Sequence, residues 1–158
     1  MESELVSLSG LTSFKLSQNK TNKNIEFYLE PIYNKNMGYN LFLDDQIDDM
    51  GDDGLAIRRP DKFDKTGREY VCLKTVQQAI DYIEGHGCPD HISFDFDLGP
   101  NEKGELQQSS DLVKWMIERD LDNPGFIPDH FTYFVHSANV MAPAALDKLG
   151  QYLKLRRG

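Results

Sequence analysis

Short apolar runs that stop at acidic or polar residues punctuate the chain. Tyr39–Leu43 ends at Asp44–Asp45 and reads as a buried strand delivering carboxylates at its C-terminal end. Glu69–Leu73 (EYVCL) is a second strand. Thr75 then serves as N-cap for a helix over Val76–Glu84, with Val76, Ile80 and Ile83 on one face and Gly85, Gly87 and Pro89 to stop it. His91–Phe96 (HISFDF) is a third strand, ending in Asp95 and Asp97, and Gly99–Pro100 turns the chain. Leu112, Trp115, Met116 and Arg119 recur at i, i+3, i+4, i+7 and predict an amphipathic helix over Ser109–Asp120, capped by Ser109 or Ser110. Phe131–Val135 (FTYFV) is the fourth strand, terminating in His136-Ser137-Ala138-Asn139, and Pro143 opens a last helix through Leu155. Trp115, Met116 and the Phe-rich strand are expected in the core.

Two segments stand outside this alternation. Leu11–Leu16 and Ile25–Tyr33 flank a polar turn at Gln18–Asn24, which predicts an N-terminal β-hairpin extension over residues 1–38 ahead of an α/β domain over 39–158. Gln46–Arg68 has little periodicity and much Asp, Gly and Pro, so it is expected to be a long loop of the kind that is functional or mobile. Strands alternating with helices imply a mainly parallel sheet, and ligands of such sheets collect outside the carboxyl ends of the strands. Asp44, Asp45, Asp95, Asp97, His136, Ser137 and Asn139 all fall at such ends and should converge on one cleft.

Charge and composition narrow the chemistry. The 158 residues carry 17 Lys+Arg against 26 Asp+Glu, a formal net charge of −9, with 39% hydrophobic and 11% aromatic residues. That is a globular rather than a disordered composition, and its acidic field disfavours duplex DNA and anionic membranes as partners. With no apolar run of membrane-spanning length and no signal-like start, a soluble, cytoplasmic protein is expected, its two cysteines, Cys72 and Cys88, reduced. A small anionic ligand would then need a metal or a local basic group.

Of the six aspartates between Asp44 and Asp53, Asp48, Asp49, Asp52 and Asp53 read as a solvated loop. A calcium loop counted from Asp49 fails, since Gly51 stands at the third ligand position and Pro60 where the final Glu belongs. Asp44 and Asp45 differ because an apolar strand presents them. Adjacent carboxylates held there repel unless a cation sits between them, and an all-oxygen site suits Mg²⁺ or Mn²⁺. His86, Cys88 and His91, with Cys72, match no zinc spacing, and neither a P-loop, a dinucleotide fingerprint nor H-E-x-x-H occurs.

The order Leu41-Phe42-Leu43-Asp44-Asp45, then Asp95-Phe96-Asp97-Leu98-Gly99, then Val135-His136-Ser137-Ala138-Asn139 resembles a receiver domain of two-component signalling. More closely it resembles the cyclic-phosphate-processing receiver-like family, with its L-F-L-D-D, D-H-D-L-G and H-S-A-N-P motifs, from Tyr39 onward. The resemblance implies a receiver-like (flavodoxin-like) sheet of order 2-1-3-4. It implies Asp44, Asp45 and Asp95 as metal ligands, with Asp97 where receivers offer a backbone carbonyl to the metal. Asp95 is then the acceptor-type catalytic acid, Ser137 the hydroxyl that contacts the phosphoryl group, and His136 and Asn139 the family's own additions, catalytic and substrate-binding respectively.

The function so implied is a Mg²⁺- or Mn²⁺-dependent phosphoesterase acting on the cyclic phosphate of a nucleotide or RNA end, in a bacterial or bacteriophage setting. The N-terminal extension is left as a surface for a protein partner. Three departures qualify it: Phe96 replaces the family's His, Val140 replaces the Pro after Asn139, and few residues follow the fourth strand to form a fifth carrying the receiver's lysine. The alternative is therefore a catalytically inactive pseudo-receiver that binds a protein or nucleotide. Phe94–Gly99 is also similar to the first motif of haloacid-dehalogenase-like phosphatases, but the later lysine and acidic pair of those enzymes are not expected here.

Overall fold

The computed structural model describes residues 38–158 fully and, before them, the backbone of three strands. The chain divides into two compact units, Met1–Met37 and Gly38–Gly158. The first is an antiparallel sheet of β1 (Leu5–Leu8), β2 (Thr12–Lys20) and β3 (Ile25–Ile32) in the order β1-β2-β3. A three-stranded sheet thus replaces the expected hairpin. Gln18, Asn19 and Lys20, assigned to the turn, belong to β2 and pair with Phe27, Glu26 and Ile25, because a backbone ladder extends across polar residues as readily as apolar ones.

In the second unit, β4 (Asn40–Leu43), β5 (Val71–Leu73), β6 (His91–Phe94) and β9 (Thr132–Val135) form a parallel sheet of order β5-β4-β6-β9, the expected 2-1-3-4. Three helices accompany it: α2 (Val76–His86), α3 (Ser109–Asp122) and α4 (Ala142–Arg157). Alternation along β4 and β6 sends Leu41, Leu43, Ile92 and Phe94 to one face. There they form the core with Ala79 and Ile83 of α2, Leu112 and Met116 of α3, and Leu146 and Leu149 of α4. No described helix is long and apolar enough to cross a membrane.

The sheet order decides what covers the other face. Right-handed crossovers that run in opposite directions along the sheet must pass on opposite sides of it. The crossovers to β6 and β9 carry α2 and α3 over the core face, so the crossover from β4 to β5 lies on the second face. That crossover is the aperiodic segment after Asp45, which holds one helical turn, α1 (Pro60–Phe63), and a single bridge between Met50 and Ala56. It covers Phe42 with Phe63 and Tyr70 and leaves a cavity of 190 Å³ bordered by Phe63, Tyr70, His91 and Phe134.

Local signals were followed with some exceptions. Thr75 caps α2, accepting from the Gln78 N–H at 3.0 Å, but the helix runs through Gly85 to His86 and ends at Gly87, with φ +84°. The cap of α3 is Gln108, in a capping box with Asp111, rather than Ser109 or Ser110. Ser109 is instead buried and donates to the Asp95 carbonyl. Gly99–Pro100, expected to turn the chain, belong to β7 (Asp97–Pro100), which pairs antiparallel with β8 (Leu106–Gln108). Phe134, expected in the core, is exposed, on an edge strand and on the face opposite the one that α2, α3 and α4 pack against.

Candidate functional site

Register builds the site. Leu43 lies opposite Leu73 and Phe94, and Phe94 opposite Val135, so the residues just past these strand ends sit side by side. Their N–H groups extend the ladder, Asp44 to the Leu73 carbonyl at 3.0 Å, Asp95 to Leu43 at 2.8 Å and His136 to Phe94 at 2.9 Å. Asp44, Asp95 and His136 are thereby fixed by backbone hydrogen bonds at the point where the crossovers diverge. One carboxylate oxygen from each of Asp44, Asp45 and Asp95 lies within 4.8 Å of the others.

Their electrostatics differ. Burial would raise the Asp44 carboxyl, but hydrogen bonds from His136, the Gln46 N–H (2.9 Å) and Arg58 Nε (2.9 Å) outweigh it and hold Asp44 below the ordinary carboxylate value. Asp45 has no ion-pair partner among the described residues, and burial together with the charges of Asp44 and Asp95 raises its carboxyl. Burial and Asp44 also raise Asp95, against hydrogen bonds from Ser137 and from its own neighbour Phe96 N–H (2.9 Å). Arg58 Nη2 stands 3.8 Å from Asp95 Oδ2, and its guanidinium lies 5.1 Å from the Phe63 ring. Among the described residues Arg58 is the only Lys or Arg paired with these carboxylates.

His136 lies flat on the second face, stacked on Phe42 at 4.3 Å and 3° and packed against Phe63 at 4.7 Å. Its Nε2 is 3.0 Å from Asp44 Oδ2 and its Nδ1 2.7 Å from Ser93 Oγ, and its side chain is 0% exposed. A carboxylate only accepts, so Nε2–H donates to Asp44, and in the neutral ring Nδ1 accepts the Ser93 hydroxyl. Both nitrogens are committed to protein, which makes His136 the group that orients Asp44.

The remaining expected residues sit around the rim. Ser137 donates to Asp95 and accepts from the Asn139 N–H at 3.1 Å. Asn139 donates to Asp97 Oδ2 at 2.9 Å and caps the approach to α4 by accepting from the Met141 N–H. Asp97 is exposed, held by Asn139 and Gln108, and stands outside the three-carboxylate cluster. Sequence reasoning missed Arg58, Phe63 and Ser93, and the nearest signal was the Arg58-Arg59-Pro60 run in an otherwise acidic stretch.

Gly99 backs closely onto Asp45. With φ +68°, it would place an added Cβ 3.0 Å from Asp45 Oδ2. Gly99→Ala is expected to cost about 1 kcal/mol or more from the positive φ. Urea denaturation checks this, and an unchanged midpoint would mean that Gly99 is not needed there.

The donor set is oxygen only, includes one carboxylate lacking any cation, and so fits a hard divalent ion better than a thiophilic one. Neither a search of curated proteins nor one of solved structures found a match. The family described as cyclic-phosphate processing receiver domain matches residues 39–151, a span holding every residue of this site. The four-stranded order, the strand-end acids and that match together make the chain a member of the cyclic-phosphate processing receiver domain family.

Proposed function

We propose that the protein opens a cyclic phosphate ester of a nucleotide or RNA end by metal-dependent hydrolysis. The observation that carries this reading is the cluster of Asp44, Asp45 and Asp95, with Arg58 and Ser137 beside it, at the carboxyl edge of the sheet. With the carboxylates ionised, three negative charges and one guanidinium leave −3 + 1 = −2, which repels a phosphate. Mg²⁺ or Mn²⁺ held by Asp44, Asp45 and Asp95 would offset that charge, draw in the phosphoryl oxygens and make water a better nucleophile.

The chain's own groups divide the rest. His136 fixes Asp44, and Ser137 offers its hydroxyl beside Asp95, where it can turn to a phosphoryl oxygen. Asp95 takes the proton of the attacking water at the carboxylate oxygen that does not hold the ion. Water adds to phosphorus, one ring P–O bond breaks, and the proton ends on the leaving oxygen, giving a phosphomonoester. Asn139, tied to Asp97 and to the Met141 N–H, would have to give up one of these bonds to contact the substrate.

A panel of cyclic nucleotides and 2′,3′-cyclic-phosphate RNA ends, incubated with Mg²⁺ or Mn²⁺ and read by mass spectrometry, tests the reading. Hydration of one substrate, abolished by EDTA, supports it. Binding without conversion favours the second reading, a pseudo-receiver, for which the relevant observation is Phe96. That residue is packed in the apolar core and brings no acid–base group to the site.

Metal binding has its own signature. At about a hundredfold excess over Kd, an ion binding only the folded state adds about 2.7 kcal/mol, or about 10 °C in Tm for a domain of this size. Asp45→Ala should remove most of that rise. Because Asp45 and Asp95 are raised, their contribution to metal-free stability is present below the unfolded carboxylate pKa and is lost as pH climbs through their folded values. The ion needs them deprotonated, so its stabilising effect should grow across the same window. Differential scanning fluorimetry from pH 4 upward, with and without Mn²⁺, checks both the sign and the variant.

A further inference from the structure

Arg58 stands where a cation is wanted. Its Nε–H donates to Asp44 Oδ2 at 2.9 Å, its Nη2 lies 3.8 Å from Asp95 Oδ2, and the same Nη2 donates to the His136 carbonyl at 3.4 Å. Asp44 Oδ2 offers two lone-pair positions, and both are occupied, one by Arg58 Nε–H and one by His136 Nε2–H. A divalent ion that used this oxygen would have to displace one of the two donors.

The two are unequal. The His136 ring is sealed between Phe42 and Phe63 and tied at Nδ1 to Ser93. The Arg58 side chain is 17% exposed, and two of its three polar contacts are long. The chain on either side of it is nevertheless held: the Ile57 N–H donates to the Asp49 carbonyl at 2.7 Å, Arg59 Nη1 to the Ala56 carbonyl at 3.1 Å, and Pro60 starts α1. The guanidinium can therefore swing over the Phe63 ring while its Cα stays at the site.

We propose that Arg58 is an exchangeable cation, which neutralises Asp44 and Asp95 in the metal-free protein and turns its planar fork to the phosphoryl oxygens once a divalent ion takes those carboxylates. Guanidinium geometry suits both roles, since it matches carboxylate and phosphate alike. With Arg58 retained beside a divalent ion the formal charge becomes −3 + 1 + 2 = 0, and the phosphate meets an arginine as well as the metal. This inference rests on the metal-dependent reading above.

A residue with these two roles has a signature that a scaffold residue lacks: removing it should strengthen metal binding and weaken phosphate binding. Mn²⁺ affinity is measured by electron paramagnetic resonance, and inorganic phosphate affinity by calorimetry at saturating Mg²⁺, for wild type, Arg58→Gln and Arg58→Lys. Arg58→Gln should bind Mn²⁺ at least about fivefold more tightly, the low end of typical coupling between sites. It should bind phosphate at least about tenfold more weakly, the scale of one lost charge-assisted hydrogen bond. Arg58→Lys should fall between on both counts, and it serves as the test variant if the glutamine protein fails the circular-dichroism check for folding. Shifts of the same sign, or none, while wild type binds Mn²⁺, overturn this inference alone. Failure of every protein to bind Mn²⁺ overturns the metal-dependent reading and this inference with it.

Discussion

Asp95→Asn should lower turnover of the best cyclic-phosphate substrate by at least about 100-fold, the scale of losing a major acid–base or electrostatic contribution. The substitution keeps the shape, and the amide oxygen can still accept from the Phe96 N–H that Asp95 Oδ1 accepts at 2.9 Å. The backbone on either side is also held independently, by the Asp95 N–H on the Leu43 carbonyl and by Ser109 on the Asp95 carbonyl. What disappears is the negative charge that binds the ion and takes the proton. Steady-state rates at saturating Mn²⁺, with circular dichroism as a control for folding, measure the effect. A wild-type rate in this variant would place the catalytic centre elsewhere.

Asp44→Ala should instead be felt in stability, by about 3–5 kcal/mol in urea at neutral pH, the range for breaking a buried charge pair from one side. The carboxylate is 0% exposed and serves three donors, His136 Nε2–H, the Gln46 N–H and Arg58 Nε–H. Alanine leaves the first of these without an acceptor inside an aromatic sandwich. Relief of repulsion on Asp45 and Asp95 works in the other direction, but it is smaller than the loss of three charge-assisted hydrogen bonds to one buried carboxylate. The Asp44 carboxyl is held below its ordinary value, so its stabilisation is present above the unfolded pKa and is lost as pH falls through the folded one. The difference between wild type and variant should shrink correspondingly in acid. A cost below about 1 kcal/mol at pH 7 would remove Asp44 from its central place.

The parallel strands were legible because each is an apolar run with an abrupt polar end, and their order followed from the family resemblance. That Asp44, Asp95 and His136 meet was legible too, since strand ends in a parallel sheet share one edge. How His136 is used was not. A strand-end position says where a side chain starts, but the ring's orientation is set by the Ser93 hydroxyl at its Nδ1 edge and by Phe63 arriving from α1. Arg58 was hidden for a related reason: its segment has no periodicity, and only the three-dimensional path brings it back to the carboxylates. The β7–β8 pair escaped because Asp97–Pro100 and Leu106–Gln108 show neither alternation nor β-branched residues. Gln108 was passed over as a cap because serine is the commoner choice, whereas Ser109 was needed inside, on the Asp95 carbonyl.

The uneven covering of the sheet gives the protein two stabilities. On the core face, α2, α3 and α4 share one apolar cluster, so that layer exchanges its amide protons only by a near-global opening. On the other face the crossover is anchored by a few side chains, Arg58 on Asp44 and Asp95, Phe63 and Tyr70 on Phe42, and Lys74 beneath Asp48. Its exposed stretch around Asp52–Leu55 can open and be cut by a protease while the helical layer stays folded. The wall that carries Arg58 can thus loosen at its exposed tip while the residues flanking Arg58, and the strand-end Asp44 and Asp95, stay tied by backbone hydrogen bonds.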